Sequence, residues 1–281
     1  MNPLARRDIT LPGGEEGFRL EIYESLPSTS DLCLTRARAG EKEGLAVLAY
    51  RQTAGRGRER RIWQSGAGNL ALSVLLRPQF ADAATLGRWS LLAGVALHQT
   101  LSSYLAPDHF TEGRRLSLKW PNDVLFEGAK LAGILAESET DAHGKPRFVV
   151  FGFGVNLLEA PRLADRPTTS LRTASGFAPP PEEVAGQLLL ALALWRRRLE
   201  REGFAPLREA WLAAGPPRDA PVEVKVGGMV RQGRFAGLDE SGALLLAEPS
   251  GISVITAGEV FEGARAAGER QAQQGQAHGE G

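Results

Sequence analysis

The hydrophobic repeat of this chain changes period once, at GPPRDAP (Gly215 to Pro221), and that change limits the fold to two unlike parts. Before it, following FAPPPEE, a helix is predicted to run to about Arg201. Val184, Leu188, Ala191, Leu192, Trp195 and Leu199 form its apolar stripe, with proline suited to the first turn. After it, the runs VEVKV, MVRQGRFAGL, ALLLAE and ISVITAGEV are separated by Gly227-Gly228 and DESG. Alternation of this kind predicts a small barrel of about five short strands over residues 220–263.

Upstream, residues 18–215 mix both periods. GLAVLAY (Gly44 to Tyr50), NLALSVLL (Asn69 to Leu76) and RFVVFGFGVNLL (Arg147 to Leu158) read as buried strands. A helix is expected from Asp82, its cap, through Leu86, Trp89, Ala93, Ala96, Leu97 and Leu101. DVLFEGAKLAGILAE reads as a hairpin turning at Glu127-Gly128. The expected class is α+β: a mixed sheet with packed helices, then a small β-barrel. Residues 1–17 are set aside as an N-terminal extension. Residues 264–281 contain no large apolar side chain, and disorder is expected there.

Charge excludes some functions. Thirty-three basic residues balance thirty-three acidic ones, so no global field draws the chain onto nucleic acid or anionic lipid. A single cysteine, Cys33, rules out an internal disulfide and thiolate-rich metal sites. The chain starts without the apolar block of a secretion signal, and no apolar run has membrane-spanning length, so the cytoplasm is the expected address.

The positive charge is instead local. YRQTAGRGRERRIWQS, Tyr50 to Ser65, holds five arginines and one acid. Glycines bring backbone amides close to an anion, and guanidinium forks match phosphate or carboxylate. Arg56, Arg58, Arg60 and Arg61 therefore suit a polyphosphate; a solvated basic loop or a weak RNA contact is the plainer reading. Trp63 suits stacking on a purine, or a place in the core. In KWPNDVLFEGAKLAGILAE, Asn122 and Asp123 offer oxygens to hydrated magnesium or a ribose. Lys130 follows the turn; facing inward, it implies a bound carboxylate or phosphate, and facing outward it is an ordinary surface lysine. Gly152 and Gly154 in GFGVN share one face of a strand, which leaves a ligand slot or permits close packing.

Together, LPSTS, RQTAGRGRERRIW, KWPNDVLFEGAKLAGIL and GFGVNL closely resemble the biotin protein ligases, from about Phe18 to Phe261. The resemblance implies a class II synthetase-like catalytic domain, shared with lipoate ligases, followed by an SH3-like barrel. It also implies an activity: ATP and biotin give biotinyl-5′-adenylate, and biotin then passes to one lysine of a carboxylase's biotin carboxyl carrier domain. Magnesium arrives with ATP, near Asp123, and no metal is held permanently. By the same resemblance Ser28, Thr29, Ser30 and Gln52 anchor biotin, and Arg56, Gly57 and Arg58 fold over it and the adenylate. Arg61, Trp63, Lys119, Asn122, Asp123 and Asn156 meet the nucleotide. Lys130 serves the reacting carboxylate and phosphate, with Arg56 and Arg58 beside it. Gly133, Ile134, Gly152 and Gly154 wall the biotin slot.

Two positions depart from the family pattern. Arg60 replaces a glycine, which strains the loop if a positive φ is needed there, and Ser30 replaces an asparagine. The rival readings are a lipoate or octanoate ligase of the same fold and a nucleic-acid-binding module built on the arginine loop. Fewer than thirty residues precede PSTS, too few for a winged helix, so no sequence-specific DNA binding is expected. An exposed sheet edge serves the carrier domain or a homodimer, and both stay open.

Overall fold

A computed structural model describes residues 2–11, 17–78, 85–105, 116–143 and 145–262. Its centre is one mixed eight-stranded sheet of β1 (Ala5–Ile9), β2 (Phe18–Leu26), β3 (Leu45–Gln52), β4 (Leu70–Leu76), β5 (Leu116–Lys119), β6 (Asp123–Phe126), β7 (Ala129–Thr140) and β8 (Pro146–Val155). The strands lie in the order β1-β2-β3-β4-β8-β7-β6-β5. Only β2 and β3 pair in parallel, so the chain must cross over between them, and α1 (Thr29–Arg38) is that crossover. Ser28 caps it, accepting a hydrogen bond from the Asp31 N–H. The segment set aside as an N-terminal extension contributes β1, which covers the free edge of β2.

Alternation along the strands separates two faces. Tyr23, Val47, Leu75, Phe148 and Val150 pack under Cys33, Leu34 and Ala37 of α1. Leu48, Leu72, Phe151 and Phe153 face α2 (Thr85–Ser102), α4 (Pro181–Glu202) and α5 (Ala205–Ala214) on the other side. A short helix, α3 (Leu171–Ser175), lies between. The expected helix before Leu101 is present from Thr85; its expected cap at Asp82 lies outside the described residues. The hairpin turns at Glu127 and Gly128, both at positive φ, as a tight turn between β6 and β7 demands.

The barrel comprises β9 (Pro221–Val226), β10 (Met229–Leu238), β11 (Leu244–Glu248), β12 (Gly251–Ile255) and β13 (Glu259–Glu262), antiparallel throughout, in the order β12-β11-β10-β9-β13. It is not tethered by a free linker. Gly215 and Pro216 are buried, and Trp211 of α5 packs against Phe235 of β10, with ring centroids 6.2 Å apart and planes tilted by 45°. Val224, Phe235, Leu238 and Leu246 thereby join the same hydrophobic interior as the sheet and helices. Arg88 Nε and Trp120 Nε1 donate to the Glu240 and Gly242 carbonyls across the seam. The expected disorder of residues 264–281 lies outside the described residues, among which no helix is long and apolar enough to cross a membrane.

Candidate active site

The sheet face under α1 opens beyond the helix N-terminus into a cavity of about 410 Å³. Glycine makes the space. Gly133 on β7 and Gly154 on β8 are directly paired across the strands. A Cβ on Gly154 would lie 2.2 Å from the Trp63 ring, and one on Gly152 would lie 2.6 Å from Ser30 Oγ. The glycine pair therefore seats an indole in this structure, and Gly152 admits the start of α1. Ile134 borders the cavity, yet its side chain belongs to the main core on the opposite face of β7.

Lys130 points inward because of a β-bulge. The β6–β7 register slips between Val124 and Leu125, so Lys130 leaves the core-facing alternation of Ala132 and Ile134. Its side chain lies against Gly133 and, at 5.7 Å, over the Trp63 ring. Its charge does have a protein partner: Nζ is 2.7 Å from Asp123 Oδ1, and both side chains are largely buried. Inward burial thus does not by itself imply a bound anion, because Asp123 meets the cost that the sequence reading left to a ligand. The backbone of Lys130 is clamped by Pro167 and Thr169, which bring Arg166 and Thr168 to the cavity rim.

The arginine-glycine segment is not a free loop. Gly57 N–H donates to Arg61, Trp63 N–H donates to Gly55, and Arg56 bridges Ile62, giving a small self-bonded flap. The strained residue at its tip is Glu59, at φ 55°, while Arg60 stays out of the left-handed region. The arginines are held by the protein as well. Arg56 forks onto Glu137 at 2.7–2.8 Å and also meets Asp31 at 2.8 Å. The Glu137 hydrogen bonds push its pKa above the ordinary arginine value. Arg58 Nη1 donates to Asn122 Oδ1 and the Gly258 carbonyl, and Arg61 forks onto Glu259. Arg56, Arg58 and Arg61 of the flap are thus each paired within the protein.

Polar groups at the far end are prearranged. The Thr29 N–H and Oγ1 both donate to Gln52 Oε1, which turns the Gln52 amide nitrogen toward Gly55. Ser30 and Thr29 share Ser73 Oγ, so the serine found where the family pattern has asparagine is anchored to β4. The Asn122 amide donates to the Ile134 carbonyl, and its oxygen takes Arg58, so neither end is free. Lys119 lies over Phe261 at 5.2 Å, and burial lowers its pKa. Four buried polar atoms of lining residues lack a hydrogen-bond partner among the described residues: Trp63 Nε1, Asn156 Oδ1, Arg56 Nε and Asp123 Oδ1, the last of which has only its ion pair with Lys130. Groups of that kind are costly unless a ligand completes them.

The residues that the resemblance assigns to the site all line this one cavity, from Ser28, Thr29, Ser30 and Gln52 through Arg56, Gly57, Arg58, Arg61 and Trp63 to Lys119, Asn122, Asp123, Lys130, Gly133, Ile134, Gly152, Gly154 and Asn156. The side chain of Arg60 lies outside the described part of the structure. Sequence reasoning missed Ser73, Glu137, Arg166 and Glu259. Ser73, Glu137 and Glu259 partner motif residues from distant segments that carry no pattern of their own, and Arg166 joins them through Glu259. Among the described residues, no three His, Cys, Asp or Glu side chains gather as a metal site.

Comparison with known proteins agrees with this geometry. Residues 23–156 match the biotin/lipoate A/B protein ligase family, and residues 220–263 match the biotin protein ligase C-terminal domain. A biotin–[acetyl-CoA-carboxylase] ligase of Paracoccus denitrificans is 42% identical over 222 residues, covering 77% of this chain and 90% of that protein. The corresponding enzyme of Mycobacterium tuberculosis is 35% identical over 268 residues, 92% and 95% of the two chains. The biotin protein ligase of Aquifex aeolicus, solved in complex with biotin and ATP, superposes with a TM-score of 0.72 at 27% identity. That match covers 87% of this chain and 99% of the other.

Proposed function

The chain belongs to the biotin/lipoate A/B protein ligase family, on its biotin branch, and from that premise we propose how its cavity performs biotin ligation. Biotin's carboxylate oxygen attacks the α-phosphorus of ATP, the bond to the β-phosphate breaks, and biotinyl-5′-AMP and pyrophosphate result. The amine of a carrier-domain lysine then attacks the acyl carbon, an amide forms, and AMP leaves with the electron pair. ATP and such a carrier meet in the cytoplasm, the compartment we assign to the protein.

The observation that carries this reading is the placement of Lys130. A bulge aims its amine into a glycine-walled cavity, beside Trp63 and held by Asp123. Joining two anions is limited by their repulsion and by their positioning, so a fixed cation at the junction is the main device required. Lys130 bridges the reacting carboxylate and phosphate. Arg58, Arg61 and Lys119 stand around the same space and receive the remaining phosphate charge. Asp123 is the residue that would hold a magnesium ion brought by the nucleotide, and such an ion would supply charge neutralisation to the departing pyrophosphate.

Because Trp63 and Ser30 occupy the glycine faces, biotin's fused rings lie instead at the end of the cavity bounded by Ser28, Thr29 and Gln52. Thr29 holds Gln52 by its oxygen and so presents the Gln52 amide hydrogens, while Ser28 and Ser30 supply short polar anchors. Trp63 and Asn156 contribute the unpaired donor and acceptor that a bound adenylate completes. Closed as it is here, the flap keeps water from the mixed anhydride.

The test is a streptavidin blot of a biotin carboxyl carrier domain incubated with the protein, magnesium, ATP and biotin. Labelling of one lysine is expected, and omission of ATP abolishes it. Transfer of lipoate with no transfer of biotin would sink the reading.

A further inference from the structure

The flap meets the barrel through one carboxylate. Arg61 Nη1 and Nη2 donate to Glu259 Oε1 and Oε2 at 3.1 and 2.9 Å, and Arg166 Nη2 reaches Oε1 at 3.0 Å. One residue earlier, the Gly258 carbonyl accepts from Arg58 Nη1 at 3.3 Å. Glu259 side-chain exposure is 16%, against 48% for Arg61, so the acceptor is the more buried member of the pair. The barrel is in turn immobilised by its shared core with the sheet.

We propose that Glu259 of the barrel is a positioning residue for the reaction, a latch that gathers Arg61 and Arg166 and holds the flap shut over the cavity. Two arginines, Arg61 of the flap and Arg166, which also pairs with Asp165, converge on a single carboxylate from the barrel. Removing that anion frees the flap and leaves Arg61 and Arg166 facing each other as like charges. The small barrel, which touches the cavity mainly through this strand, thereby acquires a role in retaining the intermediate; that consequence rests on the ligase reading.

Two measurements separate the latch from that reading. The flap carries trypsin sites at Arg58 and Arg61, so cleavage there reports opening in the ligand-free protein. Glu259→Ala is expected to speed that cleavage about five-fold, as loss of a partly exposed charge pair allows. Glu259→Gln should lie between the two, and the charge-exchanged pair Arg61→Glu with Glu259→Arg should restore slow cleavage after Arg58, the site that the exchange retains. In the presence of biotin, ATP and magnesium, Glu259→Ala is expected to release biotinyl-5′-AMP, seen as labelling of a bystander protein rising about five-fold relative to the carrier. Intact far-ultraviolet dichroism verifies folding, and the Gln variant serves if Ala unfolds. Unchanged flap cleavage in both variants overturns the proposal. A wild-type protein inert toward biotin overturns the ligase reading instead, and the cleavage experiment still decides the latch.

Discussion

At the scale of single residues, the structure revises what Lys130 does outside chemistry. A lysine at a polar rim adds little to folding, but one paired at 2.7 Å with buried Asp123 leaves an uncompensated charge when removed. Lys130→Ala should therefore abolish adenylate formation and also cost about 2–4 kcal/mol. Adding Asp123→Asn should recover most of the stability and none of the activity, as urea titration beside a pyrophosphate assay will show. Glu259 supplies a pH prediction. Burial alone would raise its pKa, but hydrogen bonds from Arg61 and the charges of Arg166 and Arg61 lower it from 4.5 to about 2. Its contribution is therefore full above pH ~4.5 and lost only as pH falls toward 2. Flap cleavage should be flat from pH 8 to 5 once corrected for trypsin's own profile, and a rise across that range would count against the assignment. The motif residues were legible because their chemistry is unusual in their positions. Ser73 and Glu137 were not, since a serine or glutamate on a strand becomes informative only when its partner across space is known.

At the scale of elements, most strands and the two long helices followed from apolar period, while β1, β2, β5, α1 and α5 did not. Inward positions of α1 include Thr29 and Ser30 beside Cys33, Leu34 and Ala37, too mixed a stripe to stand out. Its necessity comes from topology: parallel β2 and β3 require a crossover. α5 buries only Leu207 and Trp211 fully, so its signal is equally thin. The β7–β8 glycine pair makes a graded prediction. Gly154→Ala places a methyl 2.2 Å from the Trp63 ring, whereas Gly133→Ala meets the ring and Lys130 at 3.2 Å. The first should unseat the indole and lower biotinylation about a hundred-fold, the second about ten-fold or less. Tryptophan emission should shift to the red in Gly154→Ala alone. Equal losses in both variants would mean that the indole's seat is irrelevant.

For the whole molecule, the sequence separates sheet and barrel at the period change, and the structure joins them through one interior. That junction was hidden because it depends on Trp211 meeting Phe235, two residues on elements of different period. We expect a single calorimetric transition for the entire chain, with a calorimetric enthalpy equal to the van 't Hoff value. Trp211→Ala should lower stability by about 3–5 kcal/mol while the transition stays single, since the remaining core still couples the two parts. Two resolved transitions in the unmodified protein would refute the shared interior.

The buried Gly215–Pro216 step bears on how such chains recombine. A chimera spliced at GPPRDAP, the boundary that composition suggests, separates Trp211 from the Phe235 it evolved against and confronts it with a stranger's barrel. Exchange after Gly203 moves α5 together with the barrel and leaves that ring contact intact. The natural unit of inheritance is thus longer than the barrel by one helix.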